Sequence, residues 1–254
     1  MSVRVAWERR GAGFPLVLVH GLGYARWGWE PVADSLAERF EIVLLDNRGI
    51  GESDAPPGPY TVAEMAGDVV RVLDEAGIER AHLVGTSLGG MIAQELALGH
   101  AGRVDKLVLV CTTPGGPEAA PMPEVTMRLI AEAPGLEPMI ALRRFVENAL
   151  APGASEELVE RILAHRLRTA QPLGAWAAQA AAGAGFDAWD RLPALTAPTL
   201  VLHGTADVVV DPGNAELLQA RIPDATVKWF PGCGHLLFWE EPARFVEVVG
   251  EFLA

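Results

Sequence analysis

The sequence is poor in cysteine, in serine and in basic residues, and it has no long apolar run. Two cysteines, Cys111 and Cys233, in 254 residues are too few for a disulfide framework and lack metal-ligand spacing, so both read as buried thiols. Twenty Lys and Arg against 33 Asp and Glu give a formal net charge of -13. A surface of that sign repels phosphate backbones and excludes nucleic acid as a partner. No segment reaches the ~18 to 20 apolar residues that span a bilayer, and the first residues lack a basic stretch followed by an apolar core and a cleavage site. The expectation is a soluble, cytoplasmic protein with no membrane partner.

What is present is apolar. Half of the residues are hydrophobic, enough for a large core in one domain or a domain with an insertion. Short runs rich in Val, Leu and Ile recur without alternation: "PLVLVHG" (15–21), "EIVLLD" (41–46), "AHLVGT" (81–86), "KLVLVC" (106–111) and "PTLVLHG" (198–204). Such runs suit strands covered on both faces. Helical patterns lie between them. Thr61 and Glu64 have capping-box spacing before a helix that stops at Gly77, and Leu88, Ile92 and Leu96 repeat at four-residue steps. The alternation predicts a doubly wound α/β sheet, with the first eight residues pairing antiparallel at an edge.

After Thr113 the alternation stops. Residues 114–196 contain helical stretches punctuated by Pro and Gly and no convincing strand. The predicted organisation is an α/β core from 1–113 and 197–254 with a helical cap from 114–196. Past the cap, Asp211 and Pro212 should start a helix to about Arg221, "ATVKWF" should be the last strand, and Pro242 should open a final helix with Phe245, Val249 and Phe252 on one face.

Only five serines occur, and one, Ser87, stands in Gly85-Thr86-Ser87-Leu88-Gly89 between a predicted strand and a predicted helix. A G-x-S-x-G turn in that context holds its serine in a strained conformation at a sheet edge. The alternative is that Ser87 merely caps the helix. A serine hydroxyl is a poor nucleophile alone and needs a base, which in turn needs an orienting acid. Of six histidines, His235 lies in a glycine-containing loop between the last strand and the last helix and is the candidate base. His20, His82, His100, His165 and His203 read as structural, solvated or pocket-wall residues. Asp207, just beyond a strand on the same edge as Ser87, is the candidate acid. Asp211 is explained as a helix cap, and Glu240 and Glu241 suit a helix start. Acyl chemistry also needs donors for an oxyanion: the backbone N–H of Leu88, at the first turn of its helix, and that of Leu22 in "HGLGY" (20–24) are the candidates.

These motifs, "HGLG" (20–23), "DNRGIGESD" (46–54), "GTSLGG" (85–90), "HGTAD" (203–207) and "GCGH" (232–235), resemble those of the α/β-hydrolase family over nearly the whole chain. The resemblance implies a mostly parallel, eight-stranded sheet flanked by helices, a Ser-His-Asp triad, an inserted helical cap and no cofactor or metal. The sequence is most similar to esterase-like members and 3-oxoadipate enol-lactonase-like members. Ser87 disfavours the epoxide hydrolase and haloalkane dehalogenase reactions, which use aspartate at that position, and Leu22 stands where perhydrolases tend to have proline. The expected substrate is a small ester or lactone. The rivals are carbon-carbon bond hydrolysis of a vinylogous diketone and non-catalytic ligand binding on the same fold.

Substrate choice is expected to lie in residues 114–196. Met122, Met127, Leu129, Met139, Phe145 and Trp176 are candidates for an apolar pocket. Arg128, Arg143, Arg144, Arg166 and Arg168 are candidates for clamping an acidic substrate, against the alternative of a solvated helix face. Arg48 reads as a structural ion-pair residue.

Overall fold

A computed structural model describes residues 3–169 and 171–254. The non-alternating runs form the strands of one sheet: β1 (Trp7–Arg10), β2 (Pro15–Val19), β3 (Glu41–Leu45), β4 (Ala81–Thr86), β5 (Val104–Val110), β6 (Thr199–Gly204) and β7 (Ala225–Phe230). Their spatial order is β1-β3-β2-β4-β5-β6-β7. Every neighbouring pair is parallel except β1 with β3, where Trp7 faces Leu45 and Arg10 faces Ile42.

The helices are α1 (Glu30–Ala37), α2 (Val62–Ala76), α3 (Leu88–Gly99), α4 (Glu124–Glu132), α5 (Pro138–Asn148), α6 (Glu156–Arg168), α7 (Leu173–Ala184), α8 (Gly213–Arg221), the short α9 (Leu237–Glu240) and α10 (Pro242–Leu253). The sequence signals explain several ends. Thr61 accepts the Glu64 N–H while Glu64 accepts the Thr61 N–H, and Gly77 closes α2 at φ 70°.

The period-2 geometry of the strands sends successive side chains to opposite faces. Val17, Val43, Leu83, Leu109 and Val201 meet α2, α3 and α8 on one side. Leu16, Leu44, Val84, Val108 and Leu200 meet α1 and α10 on the other. Both faces are therefore covered, which is why these strands read as continuous apolar runs. Cys111 and Cys233 are free and buried. Among the described residues no helix is long and apolar enough to cross a membrane.

Four expectations need correction. The described sheet has seven strands, not eight. The edge strand begins at Trp7, because Arg4 and Ala6 spend their backbone groups on Asp54, Ser53 and Asp46 of the β3–α2 loop and not on a further strand. Helix α8 starts at Gly213, with Asp211 Oδ1 accepting the Gly213 N–H at 2.8 Å, so Pro212 precedes its first turn. In α10 the buried face is Phe245, Val249 and Leu253, while Phe252 stays half-buried beneath Lys106.

Between β5 and β6, α4 to α7 replace the β/α alternation, and Gly115 with Asp187 forms an isolated bridge where the segment leaves and rejoins the sheet. Val146, Leu150, Val159 and Ile162 of this segment join one core cluster, and Ala178, Ala182 and Phe186 join the other.

Candidate active site

Strand β4 ends at the carboxyl edge of the sheet and turns at once into α3. Ser87 occupies the turn at φ 55° and ψ -121°, a conformation that costs a non-glycine residue of order 1–3 kcal/mol. The flanking glycines are needed for the crossing: a Cβ on Gly85 would stand 2.3 Å from the Gly89 carbonyl oxygen, and one on Gly89 would stand 2.1 Å from that of Val19. The backbone of the turn is held by its neighbours. Ser87 N–H donates to Val110 O at 2.9 Å, and the Thr112 hydroxyl donates to Ser87 O at 2.7 Å. The Ser87 side chain makes no capping hydrogen bond, so the helix-cap alternative is not realised. Ser87 itself is half-buried.

Two strands away, the turn after β6 carries Asp207. Its Oδ1 accepts the N–H groups of Val209 at 2.8 Å and Val210 at 3.0 Å, and its Oδ2 lies 2.8 Å from His235 Nδ1. Burial alone would raise the Asp207 pKa. The charge on His235 and the bonds from His203 and His235 outweigh it, so the carboxyl is held below its ordinary range. Asp211, the competing acid, is engaged with Gly213 instead.

His235 is buried, in the loop that joins β7 to α9. Leu236 N–H donates to Ala149 O at 3.1 Å, and a Cβ on Gly234 would stand 2.6 Å from the Leu150 carbonyl carbon. Glu240 secures the contact. Its carboxylate accepts the Gly234 N–H at 2.7 Å and also the Ala151 N–H, tying the histidine loop to the end of α5. Burial pushes the Glu240 carboxyl up. From the sequence, Glu240 reads only as part of a helix start. Its position at the end of α9 and the two amides it receives depend on a tertiary contact with no sequence signature.

The loop after β2 approaches Ser87 from the other side. His20 Nδ1 accepts the Gly21 N–H at 2.7 Å, and the ring stacks on Tyr24 with centroids 4.6 Å apart. Burial, then the neighbouring charges of His235 and Arg166, push the His20 pKa down to about 3. A neutral imidazole is thus built into the wall. Among the described residues, the N–H groups of Leu22 and Leu88 donate to no protein acceptor. Donors left open beside a strained serine are what a developing oxyanion requires.

The family profile described as "Alpha/beta hydrolase family" matches residues 16–248. The chain belongs to the alpha/beta hydrolase family. A 2-hydroxy-6-oxononadienedioate/2-hydroxy-6-oxononatrienedioate hydrolase of Cupriavidus pinatubonensis is 34% identical, with 98% of this chain and 90% of the relative aligned. A pimeloyl-[acyl-carrier protein] methyl ester esterase of Aeromonas hydrophila is 32% identical over 100% of both chains. The crystal structure of the enol-lactonase from Burkholderia xenovorans LB400 superposes with a TM-score of 0.86 at 27% identity, covering 99% of this chain and 96% of the other.

In this alpha/beta hydrolase the arginine candidates separate clearly. Arg128 pairs with Glu124, Arg143 with Glu147, Glu156 and Glu160, and Arg144 with Glu132, all on exposed helix faces. Among the described residues, Arg168 bonds only the Ala164 carbonyl. Arg166 alone reaches the loop after β2, donating to Gly23 O at 2.6 Å with its guanidinium 5.0 Å from the Tyr24 ring. Arg48 makes a two-pronged bond to buried Asp68 at 2.6 and 2.8 Å, as an ion-pair residue should.

The apolar candidates are placed differently from expectation. Met122, Met127 and Met139 are 43%, 50% and 44% exposed, and Leu129 is buried in packing. Met139 lines a groove of about 300 Å³ between α5 and α6 together with Ile140, Leu163 and Leu167, and no residue of the serine turn, the acid turn or the histidine loop borders it. Phe145 and Trp176 are half-buried. Sequence periodicity marks an apolar helix face but does not say whether that face meets a ligand, a neighbour or water. Above the serine turn stands α7, where Gly183 faces Leu88 and Met91; a Cβ on Gly183 would sit 3.4 Å from Leu88 Cδ1 and 3.6 Å from Met91 Sδ.

Proposed function

We propose that this alpha/beta hydrolase is a serine hydrolase that cleaves a carboxylic ester or lactone through an acyl-enzyme. His235 Nε2 takes the Ser87 proton as Ser87 Oγ attacks the carbonyl carbon. Asp207 fixes the Nδ1–H tautomer of His235 and stabilises the imidazolium. The N–H groups of Leu22 and Leu88 receive the oxyanion, and the dipole of α3 favours negative charge there. His235 then protonates the leaving oxygen, and water clears the acyl group by the same route.

The observation that carries this reading is the 2.8 Å contact of His235 Nδ1 with Asp207 Oδ2 on the sheet edge that also bears the strained Ser87. Residues 114–196 act as the cap over a core formed by 1–113 and 197–254. Leu88, Met91 and α7 near Gly183 form one wall beside the serine turn. Three of the five cap arginine candidates, Arg128, Arg143 and Arg144, are already paired with carboxylates, which favours a neutral ester over an acidic enol-lactone. The substrate is a small molecule handled by a soluble protein in the cytoplasm, and no cofactor enters the scheme.

Carbon-carbon hydrolysis is the second reading. It is favoured by the Cupriavidus pinatubonensis relative, whose name gives a 2-hydroxy-6-oxo dienedioate as substrate. A hydrolysis panel of neutral p-nitrophenyl esters of increasing acyl length, simple lactones, acidic enol-lactones and vinylogous diketones separates the two. The ester reading expects short neutral esters to have the highest kcat/KM. Rapid diketone cleavage with poor ester turnover would replace it with the second reading.

A further inference from the structure

His203 ends β6 four residues before Asp207 and is completely buried. Its Nε2 lies 3.1 Å from Asp207 Oδ2 and 3.1 Å from the Val210 carbonyl oxygen. Both neighbours are acceptors, so Nε2 carries the proton and shares it between them. Nδ1 then points into the protein with no partner among the described residues. Burying a nitrogen without a partner is a cost that an apolar residue would avoid. What offsets it is a donor aimed at Asp207.

A carboxylate offers about four lone-pair directions. Val209 and Val210 fill those of Oδ1, and His235 fills one on Oδ2. His203 supplies the fourth. We infer that His203 is a positioning residue of this site: its Nε2–H locks Asp207 in place and reduces the negative charge that Oδ2 presents to His235. This rests on the triad reading above and is independent of which carbonyl compound Ser87 attacks.

The consequence has a definite sign. The more charge Oδ2 presents, the better it stabilises the His235 imidazolium, so loss of the His203 donor makes His235 more basic. The acid limb of kcat/KM, which reports the base in the free enzyme, then moves to higher pH. The other titratable groups around His203 and His235 do not blur this: His20, facing His235 from the loop after β2, is kept neutral over the acid limb chiefly by burial. Cys111, at the end of β5, has its thiol pushed well up by burial first and then by Asp207, and stays neutral. Glu240, from α9, interacts with Asp207 and Cys111 through charge and not through a hydrogen bond. From β7 the neighbour is Trp229, with ring centroids 6.3 Å apart, and it does not titrate.

The test uses His203→Leu, His203→Gln and His203→Asn in the full chain, with folding checked by circular dichroism. Two quantities are read against pH: kcat/KM on a p-nitrophenyl ester, and the rate at which a fluorophosphonate labels Ser87, which needs no knowledge of the substrate. In His203→Leu labelling should slow about tenfold, the net worth of one hydrogen bond, and the acid limb should rise by about half a pH unit. His203→Gln, whose amide nitrogen reaches nearly the same point, should recover most of both. If the Leu variant does not fold, His203→Asn, whose amide is too short to reach Oδ2, should show the same two changes. A folded Leu or Asn variant with a wild-type acid limb, or a Gln variant as impaired as Leu, overturns the inference. A wild-type protein that is not labelled at Ser87 overturns the triad reading itself.

Discussion

Gly21 lies directly against Ser87: a Cβ on Gly21 would stand 2.9 Å from Ser87 Cβ and 3.4 Å from its Oγ. The absence of a side chain there lets the loop that carries Leu22 lie against Ser87, as the proposed oxyanion role of Leu22 requires. Gly21→Ala must push the loop or the serine away. Displacements of about 1 Å can cost on the order of 10²-fold in rate, so kcat/KM on a short p-nitrophenyl ester should fall by roughly that factor. Melting temperature should move by only a few degrees. Unchanged kcat/KM would mean that this loop takes no part in the chemistry.

Gly89→Ala should act on the fold instead. Its Cβ would meet the backbone of β2 at Val19, 2.1 Å from the carbonyl oxygen, with no flexible side chain to yield. The expected loss is about 2–4 kcal/mol, or roughly 10 °C in melting temperature for a chain of this size. Gly67, inside α2, provides the opposite case. A Cβ there meets nothing within 4 Å, so Gly67→Ala should gain about 0.5–1 kcal/mol. Both are read by thermal denaturation.

The buried His20 makes a pH prediction. Its folded pKa is about 3 against an ordinary value of 6.5. Above pH 6.5 it is neutral in both states. As pH falls below 6.5 the unfolded chain takes up a proton that the folded chain refuses, so stability drops between pH 6.5 and about 3. His82, also lowered chiefly by burial, adds in the same direction. Asp207 contributes only at lower pH, because its folded pKa lies below the ordinary 3.8. Melting temperature measured from pH 7 to 4.5 should decline, and the slope should be shallower in His20→Asn. Equal slopes would remove His20 from this explanation.

Glu240→Gln tests the tie between the histidine loop and α5. The carboxylate serves two backbone donors, Gly234 and Ala151, and an amide offers only one oxygen. The N–H left facing an NH₂ group costs about 1–3 kcal/mol. We expect a melting temperature lower by a few degrees and a several-fold drop in kcat, as His235 loses its fixed position. A variant with wild-type kcat and stability would show that the loop is held by other contacts.

The elements that the sequence announced were those set by local or periodic physics. Thr61 and Glu64 made their capping box because that motif is complete within four residues. The Val-Leu-Ile runs formed strands covered on both faces because they lacked alternation. Ser87 stood out because glycines on both sides of a serine at a strand-to-helix junction serve no ordinary turn. The less legible features depended on contacts across the sheet. His203 looked like any strand-end histidine until β6 and the Asp207 turn brought Nε2 to the carboxylate. Met122 and Met127 had the composition of a pocket and turned out to be exposed, since helical spacing fixes a face but not what covers it. The resemblance implied eight strands, whereas the described sheet has seven, and the backbone N–H groups of Arg4 and Ala6 bond the β3–α2 loop.

The most direct test of the central claim is kcat/KM of Ser87→Ala on the best short-chain p-nitrophenyl ester. The Ser87 hydroxyl makes no capping bond, so the variant should fold and melt like the wild type. We expect kcat/KM to fall by about 10⁴-fold or more, the scale seen when one member of a cooperating triad is removed. A folded Ser87→Ala protein that hydrolyses the ester at the wild-type rate would contradict the account.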